Sequence, residues 1–80
     1  MDLNILLRDI FKKIQKFSGE HEKYILEYLE HREWELALIS ICSAIEQGNI
    51  TIDKKDFCKI EEAGLYMDLD KLFWESIQTQ

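Results

Sequence analysis

Hydrophobic residues recur at intervals of three and four along most of the chain, the spacing that puts them on one face of a helix. The first such segment predicts a helix over residues 2–17, with Asp2 as its N-cap. Gly19 is expected to adopt the left-handed conformation that ends this helix, and Ser18 to cap the next one. The apolar face of the first helix consists of Leu3, Leu7, Ile10, Ile14 and Phe17.

Two further helices are predicted in the middle of the chain, over residues 20–30 and 33–47. They are separated at residues 31–33, where no side chain is apolar, by a turn or a helix junction. The third helix is apolar over more than half of its circumference, because Leu36 and Ile39 lie outside its main apolar face. A helix of this kind is usually central, so we expect the other helices to pack around it.

A connector and a fourth helix are predicted next. Gly48 and Asn49 should end the third helix, since both residues tolerate left-handed geometry. Residues 50–52 are short and β-branched, and we expect an extended connector that buries one or both of its isoleucines. Asp53 is expected to cap the fourth helix, in which Gly64 would mark a point of close packing.

A last short helix is expected near the end of the chain, capped by Asp68 or Asp70, and residues 78–80 are expected to fray. The chain has no proline and only three glycines, whereas all-β folds need many turn residues. Its hydrophobic fraction of 46% is enough for a core. The prediction is an all-α, compact, single-domain bundle of four to five short helices over residues 1–80.

Targeting signals are not expected, because charged residues interrupt the apolar positions of the first helix and no stretch is long enough to span a membrane. The cytoplasm is therefore the expected compartment. Its reducing conditions would keep Cys42 and Cys58 as thiols, and both are interpreted as small hydrophobic residues of the core.

Catalytic and metal-binding patterns are weak. Glu27, His31 and Glu35 stand at successive intervals of four and would share a face if one helix ran through the 31–33 turn. That arrangement could hold a metal weakly, but a solvated polar face is the more common meaning of such spacing. No glycine-rich phosphate loop is present, and so small a chain has little room for a substrate pocket. We expect no enzymatic activity, no cofactor and no metal.

Charge is distributed unevenly. The net charge is −6, yet residues 1–19 carry four basic against two acidic side chains. Residues 20–35 carry six glutamates against two basic side chains, and residues 36–80 carry eight acidic against four basic ones. An acidic chain is a poor binder of nucleic acid and a better match for a basic partner. Acidic surfaces are also common without any such role, so charge by itself leaves both interpretations open.

Two groups of carboxylates are candidates for a partner-binding surface. Trp34 lies beside the first group and is the best candidate for an aromatic anchor, although an aromatic residue is more often part of the core. The first group, around the junction of the second and third helices, consists of Glu27, Glu30, Glu33 and Glu35. The second group, near the last predicted helix, consists of Glu61, Glu62, Asp68 and Asp70.

Residues 24–76 resemble the MafI-type immunity proteins of bacterial polymorphic toxin systems. The resemblance concerns residues typical of a fold rather than a catalytic signature. This chain departs from the family pattern at Arg32, where glycine is usual, and at Cys42 and Ser43, which replace more acidic residues. The matching positions are Tyr28, Leu29, Glu30 and His31, then 33–38, then 46–52, then Glu61, Glu62, Gly64, Met67 and Leu69.

The resemblance implies a small helical protein of the bacterial cytoplasm that binds and neutralises a cognate toxin domain. Such toxins are delivered by contact-dependent growth inhibition or related routes, and many are ribonucleases, including EndoU-like ones. The immunity protein would cover the active site or the RNA-binding surface of the toxin. The alternative is a helical interaction or regulatory module. It would act through self-association, with the apolar faces of the first and third helices as a dimer seam, or through a non-toxin partner.

Overall fold

The third predicted helix is the element around which the chain is arranged. This helix, α3, spans Trp34–Gln47 and buries Ala37, Leu38, Ile41, Cys42, Ala44 and Ile45. It contacts helices before and after it in the sequence as well as the C-terminal segment. The expectation that it is central is therefore confirmed.

The computed structural model describes residues 1–80 and contains four α-helices and two 3₁₀ turns. This architecture confirms the predicted all-α bundle. The first helix is shorter than predicted, because its last residues tighten into a 3₁₀ turn at Gln15–Phe17, and the last predicted helix is only the 3₁₀ turn Lys71–Phe73. The other helices are α1, Leu3–Ile14; α2, His21–Glu30; and α4, Lys54–Tyr66.

Aspartates cap α1, α4 and the C-terminal 3₁₀ turn, as the sequence predicts. Asp2 accepts a hydrogen bond from the backbone N–H of Ile5 at 3.1 Å, and Asp53 accepts one from the N–H of Asp56 at 2.8 Å. Asp70 caps the C-terminal 3₁₀ turn by accepting from the N–H of Leu72 at 2.9 Å. The backbone N–H groups of a first turn have no partner within their own helix, so these capping bonds help to fix where the three capped elements begin.

The turn between α1 and α2 follows the prediction only in part. Gly19 has a φ of +54°, so its predicted left-handed conformation is confirmed. The predicted capping role of Ser18 is wrong, because its hydroxyl donates to the carbonyl oxygen of Gln15 at 2.6 Å. That bond turns the side chain back toward the first helix, and Glu20 occupies the N-cap position of α2 without a capping side-chain bond.

The C-terminal tail is fastened to the connector, so the predicted fraying is wrong. The N–H of Ile52 donates to the carbonyl of Gln78 at 3.1 Å, and the N–H of Gln80 donates to the carbonyl of Ile52 at 3.0 Å. These bonds form an isolated parallel bridge. Ile52 and Ile77 are both buried beside it, which confirms the predicted extended connector and gives the tail an apolar anchor.

Trp74 packs directly on the backbone of α4 at Gly64. The indole is only 1% exposed, and a Cβ atom added at Gly64 would overlap its six-membered ring. The close packing predicted at Gly64 is therefore confirmed, and the tryptophan that requires it comes from the C-terminal segment.

A partly buried ion pair joins α1 to α4. The Asp56 side chain is 7% exposed and accepts two hydrogen bonds from the Lys13 ammonium, at 2.9 and 3.1 Å. Lys59 stands 3.9 Å from the same carboxylate. The Asp56 hydrogen bond raises the pKa of Lys13 above its usual value. Burial removes most of the hydration of the Asp56 carboxylate, which is costly unless a hydrogen-bonded cation such as Lys13 compensates for it.

The two cysteines have different environments. Cys42 is buried in α3, and burial raises the pKa of its thiol to about 12, with a smaller contribution from Glu46. Cys58 is exposed, so its predicted place in the core is wrong. The buried face of α4 is centred on Ile60. Cys58 lies two positions before Ile60, a rotation of about 200° around the helix axis, so its side chain is on the opposite, exposed side.

Most of the apolar face of α1 and the main apolar face of α3 are buried within the bundle, whereas Phe17, at the end of the first predicted face, is 57% exposed. Leu7, Ile10, Phe11 and Ile14 of α1 join the buried residues of α3 in one core. No helix has both the length and the apolar stretch that crossing a bilayer requires.

We predict that Gly64→Ala destabilises the fold by about 1–3 kcal/mol, because the new methyl group displaces the Trp74 ring. At an ordinary helical position the same change stabilises, by about 1 kcal/mol. Chemical denaturation followed by circular dichroism measures the free energy of unfolding. In a Trp74→Leu background the new methyl group no longer overlaps an indole ring. The loss of unfolding free energy caused by Gly64→Ala should therefore be smaller there. An equal loss in both backgrounds would contradict the packing described here.

Candidate protein-binding surface

Trp34 lies at the end of the bundle where α1 begins, α4 ends and the α2–α3 turn passes between them. Its side chain is half-buried, and three adjoining depressions border on it. We call the region formed by these depressions and their rims the Trp34 surface. The sequence places Trp34 there because the turn at 31–33 ends in Glu33, which occupies the N-cap position of α3.

The first depression is mainly apolar and has a volume of about 440 Å³. Leu36 is 45% exposed there, an unusual amount for a leucine of the central helix. The extra apolar positions that widen the hydrophobic face of α3 in the sequence, Leu36 and Ile39, therefore line this depression rather than the buried core. Its apolar lining consists of Leu3, Trp34, Leu36, Ile39 and Met67.

Carboxylates of the first predicted group surround this site. Glu33 and Glu35 line the apolar depression, and Glu30 lines a neighbouring polar one. Glu27 is exposed on α2 but lines none of the three depressions. None of the four glutamates forms an ion pair. The structure thus brings three of them to Trp34 and leaves their charges unpaired.

The second predicted group is not part of the Trp34 surface. Glu61 and Glu62 are exposed on α4, and successive helical residues point about 100° apart, so the two carboxylates diverge. Asp68 follows Met67 in a left-handed conformation with a φ of +58°. Asp70 is engaged in capping the C-terminal 3₁₀ turn. None of these four residues lines a depression beside Trp34.

Two arginines that no motif in the sequence singles out also belong to the Trp34 surface. Arg8 and Arg32 line the polar depression, which has a volume of about 470 Å³. Arg8 comes from α1 and Arg32 from the α2–α3 turn, so no local pattern connects them. The one signal available in the sequence is that these are its only arginines, among ten basic residues.

His31 lies in the same turn and carries a hydrogen bond that favours its charged form. Its Nδ1 donates to the carbonyl oxygen of Glu27 at 2.9 Å. That bond, together with the nearby carboxylates of Glu27, Glu33 and Glu30, raises the pKa of the imidazole above its usual value. Protonation of His31 therefore adds positive charge beside the carboxylates of the Trp34 surface.

The weak metal pattern of the sequence is not assembled. A shared face for Glu27, His31 and Glu35 requires one continuous helix, but α2 ends at Glu30 and α3 begins at Trp34. Arg32 reverses the chain between them with a φ of +56°. No group of three or more His, Cys, Asp or Glu side chains is placed to hold a metal ion.

Comparison with known proteins identifies no relative. No family model, no curated protein and no solved structure matches this chain. The site is therefore characterised by its own geometry: a half-buried indole, an apolar depression beside it, and unpaired charges of both signs at its rim.

We predict that His31 titrates above its usual value of 6.5, and that Glu30→Gln with Glu33→Gln lowers this pKa by removing two carboxylates. A proton NMR titration of the imidazole measures it. The pKa of His31 is higher in the folded than in the unfolded state, so its protonation stabilises the fold. This contribution to the free energy of unfolding is complete below the unfolded pKa and disappears as pH rises through the folded pKa. His31→Gln should therefore reduce stability at acidic pH and much less at alkaline pH. An unchanged pKa in the double variant would contradict the assigned electrostatic cause.

Proposed function

We propose that this protein is a non-catalytic immunity protein that acts in the cytoplasm by binding a cognate toxin domain and blocking it. The observation that carries this proposal is the Trp34 surface, where a half-buried indole and an apolar depression meet glutamates that no basic group pairs. The resemblance of residues 24–76 to MafI-type immunity proteins supplies the class of partner.

The chemistry of a ribonuclease suits this surface. A ribonuclease must present basic groups to the phosphates of its substrate, so its active site and RNA-binding surface are positively charged. Glu30, Glu33 and Glu35 are exposed and free to meet such groups. Opposite charges of this kind accelerate the encounter of two proteins and favour the correct orientation. An EndoU-like ribonuclease is one toxin class that the resemblance implies.

Affinity would come from the apolar part of the surface. A tryptophan shielded from water at the centre of a contact is a common hot spot, whereas exposed charges at the rim contribute more to association rate than to affinity. Trp34 has this central place, because it lines all three of the depressions. The toxin would place an apolar side chain against Leu36 and Met67 and its basic groups against the glutamates.

The direct test begins with the neighbouring reading frames. The C-terminal domain of a large adjacent open reading frame would be expressed in cells with and without this protein. We expect growth to be arrested by the domain alone, to be rescued by co-expression, and the two proteins to purify together. Absence of rescue by any neighbouring domain would contradict the immunity function.

We predict that Glu30→Lys, Glu33→Lys and Glu35→Lys together weaken toxin binding by about tenfold or more, because like charges would then face each other. Growth rescue and the Kd of the purified pair measure the effect, and circular dichroism checks that the fold is retained. Protection that survives undiminished would exclude the Trp34 surface as the contact.

A matched control carries Glu20→Lys, Glu22→Lys and Glu75→Lys, which changes net charge by the same amount. These positions lie near the opposite end of the bundle, where the His21 imidazole contacts Gln47 at 2.9 Å and Ser76 contacts Glu46 at 2.7 Å. We expect this control to retain protection. Equal losses in both variants would indicate net charge rather than a specific surface.

A further inference from the structure

Both arginines of the chain line the polar depression that borders on Trp34, although 23 residues separate them in the sequence. The other eight basic residues are lysines, and none of them lines any of the three depressions. Arginine and lysine differ in recognition, because the planar guanidinium offers paired donors that match a carboxylate, whereas an ammonium is a point charge. Tryptophan and arginine are also the residues most enriched at binding hot spots.

The Arg8 guanidinium is hydrogen-bonded within the chain through Nε, while its two terminal nitrogens are free. Its Nε donates to the Asn4 side-chain oxygen at 2.6 Å, one helical turn earlier on α1. The two terminal nitrogens of the guanidinium make no hydrogen bond and no ion pair within the chain. An arginine fixed through Nε needs less ordering when a ligand binds to the remaining donors.

Arg32 occupies a backbone position that favours glycine. Its φ of +56° lies in the left-handed region, where a side chain with a Cβ atom costs about 1 kcal/mol. Its guanidinium makes no hydrogen bond or ion pair within the chain. The left-handed turn itself is supported by the backbone, since the N–H of Glu33 donates to the carbonyl oxygen of Tyr28 at 2.9 Å. The turn thus accounts for the backbone conformation, and the Arg32 guanidinium is left with all of its donors free for a partner.

Glu30 lines the same depression yet pairs with neither arginine. The Trp34 surface therefore has unneutralised charges of both signs: carboxylates beside the apolar depression and two guanidiniums in the polar one. A uniformly basic partner would bring positive charge against Arg8 and Arg32, which is unfavourable. A matching partner surface must carry a negative group at this place.

We propose that Arg8 and Arg32, beside Trp34, form a subsite that binds an aspartate or glutamate side chain of the partner protein. This inference rests on the proposed function, and it specifies the toxin further. Its contact surface carries an acidic residue next to the apolar group that meets Trp34, within an otherwise basic region. The subsite would then select the cognate toxin among basic nucleases.

A protein carboxylate fits this subsite better than an RNA phosphate. Glu30, Glu33 and Glu35 border the same surface, and the chain carries a net charge of −6. A polyanion would face these charges along its whole length, whereas a single carboxylate in a basic protein surface meets only the arginines.

The test compares the affinity of variants for the toxin domain, separated from the co-purified pair, by isothermal titration calorimetry. We expect Arg8→Gln with Arg32→Gln to raise the Kd by about tenfold to hundredfold. Arg8→Lys with Arg32→Lys should recover only part of the affinity, because the charge is kept and the planar donors are lost. Lys54→Gln with Lys55→Gln removes the same charge from exposed positions on α4 and should change the Kd less than twofold.

Each other outcome overturns the proposal in a recognisable way. If Trp34→Ala weakens binding but the arginine variants do not, the subsite is wrong and the proposed function stands. If the arginine variants bind more tightly, the facing toxin surface is basic. If the unmodified protein does not bind the toxin domain, both proposals fall. If a fluorescein-labelled single-stranded oligoribonucleotide binds and the arginine variants abolish that binding, the subsite is a phosphate site instead.

Discussion

The burial of α3 is the constraint on which the rest of this structure depends. A helix of 14 residues that is apolar over most of its circumference cannot expose any long side to water. In a chain of 80 residues, three other short helices cannot cover it completely. The C-terminal segment completes the cover, with Trp74 and Ile77 buried in the same core as Ile41 and Ile45. The tail is therefore ordered because the central helix requires it.

The same constraint explains where the candidate site lies. The cover of α3 is thinnest over its first two turns, at the end of the bundle where α1 begins and α4 ends. Trp34 and Ile39 are only partly buried there, and Leu36 is exposed. Apolar surface left open in this way at one end of a small protein is characteristic of a contact site. The Trp34 surface is thus a place where packing within one chain leaves part of the central helix uncovered.

Local signals in the sequence were sufficient to predict the helices but not the contacts between them. Spacing and capping residues act within one or two turns, so Asp2, Gly19 and Asp53 were assigned correctly. The Lys13–Asp56 ion pair and the bridge from Ile52 to the tail join residues far apart in the sequence, and no periodicity encodes them. The predictions for Ser18 and Cys58 are wrong because the local pattern at each residue allows two directions for the side chain.

For the candidate site, net charge and local arrangement carry different information. The net charge of −6 acts at long range and governs which partners approach and how fast. At contact distance the energy depends on individual pairs, and there the Trp34 surface presents Arg8 and Arg32 as well as Glu33 and Glu35. The net charge of the sequence predicts the long-range effect. It does not predict the contact-distance effect, because the two arginines are a minority among acidic residues. A partner that satisfies both effects is basic overall and carries a negative group where it meets Trp34.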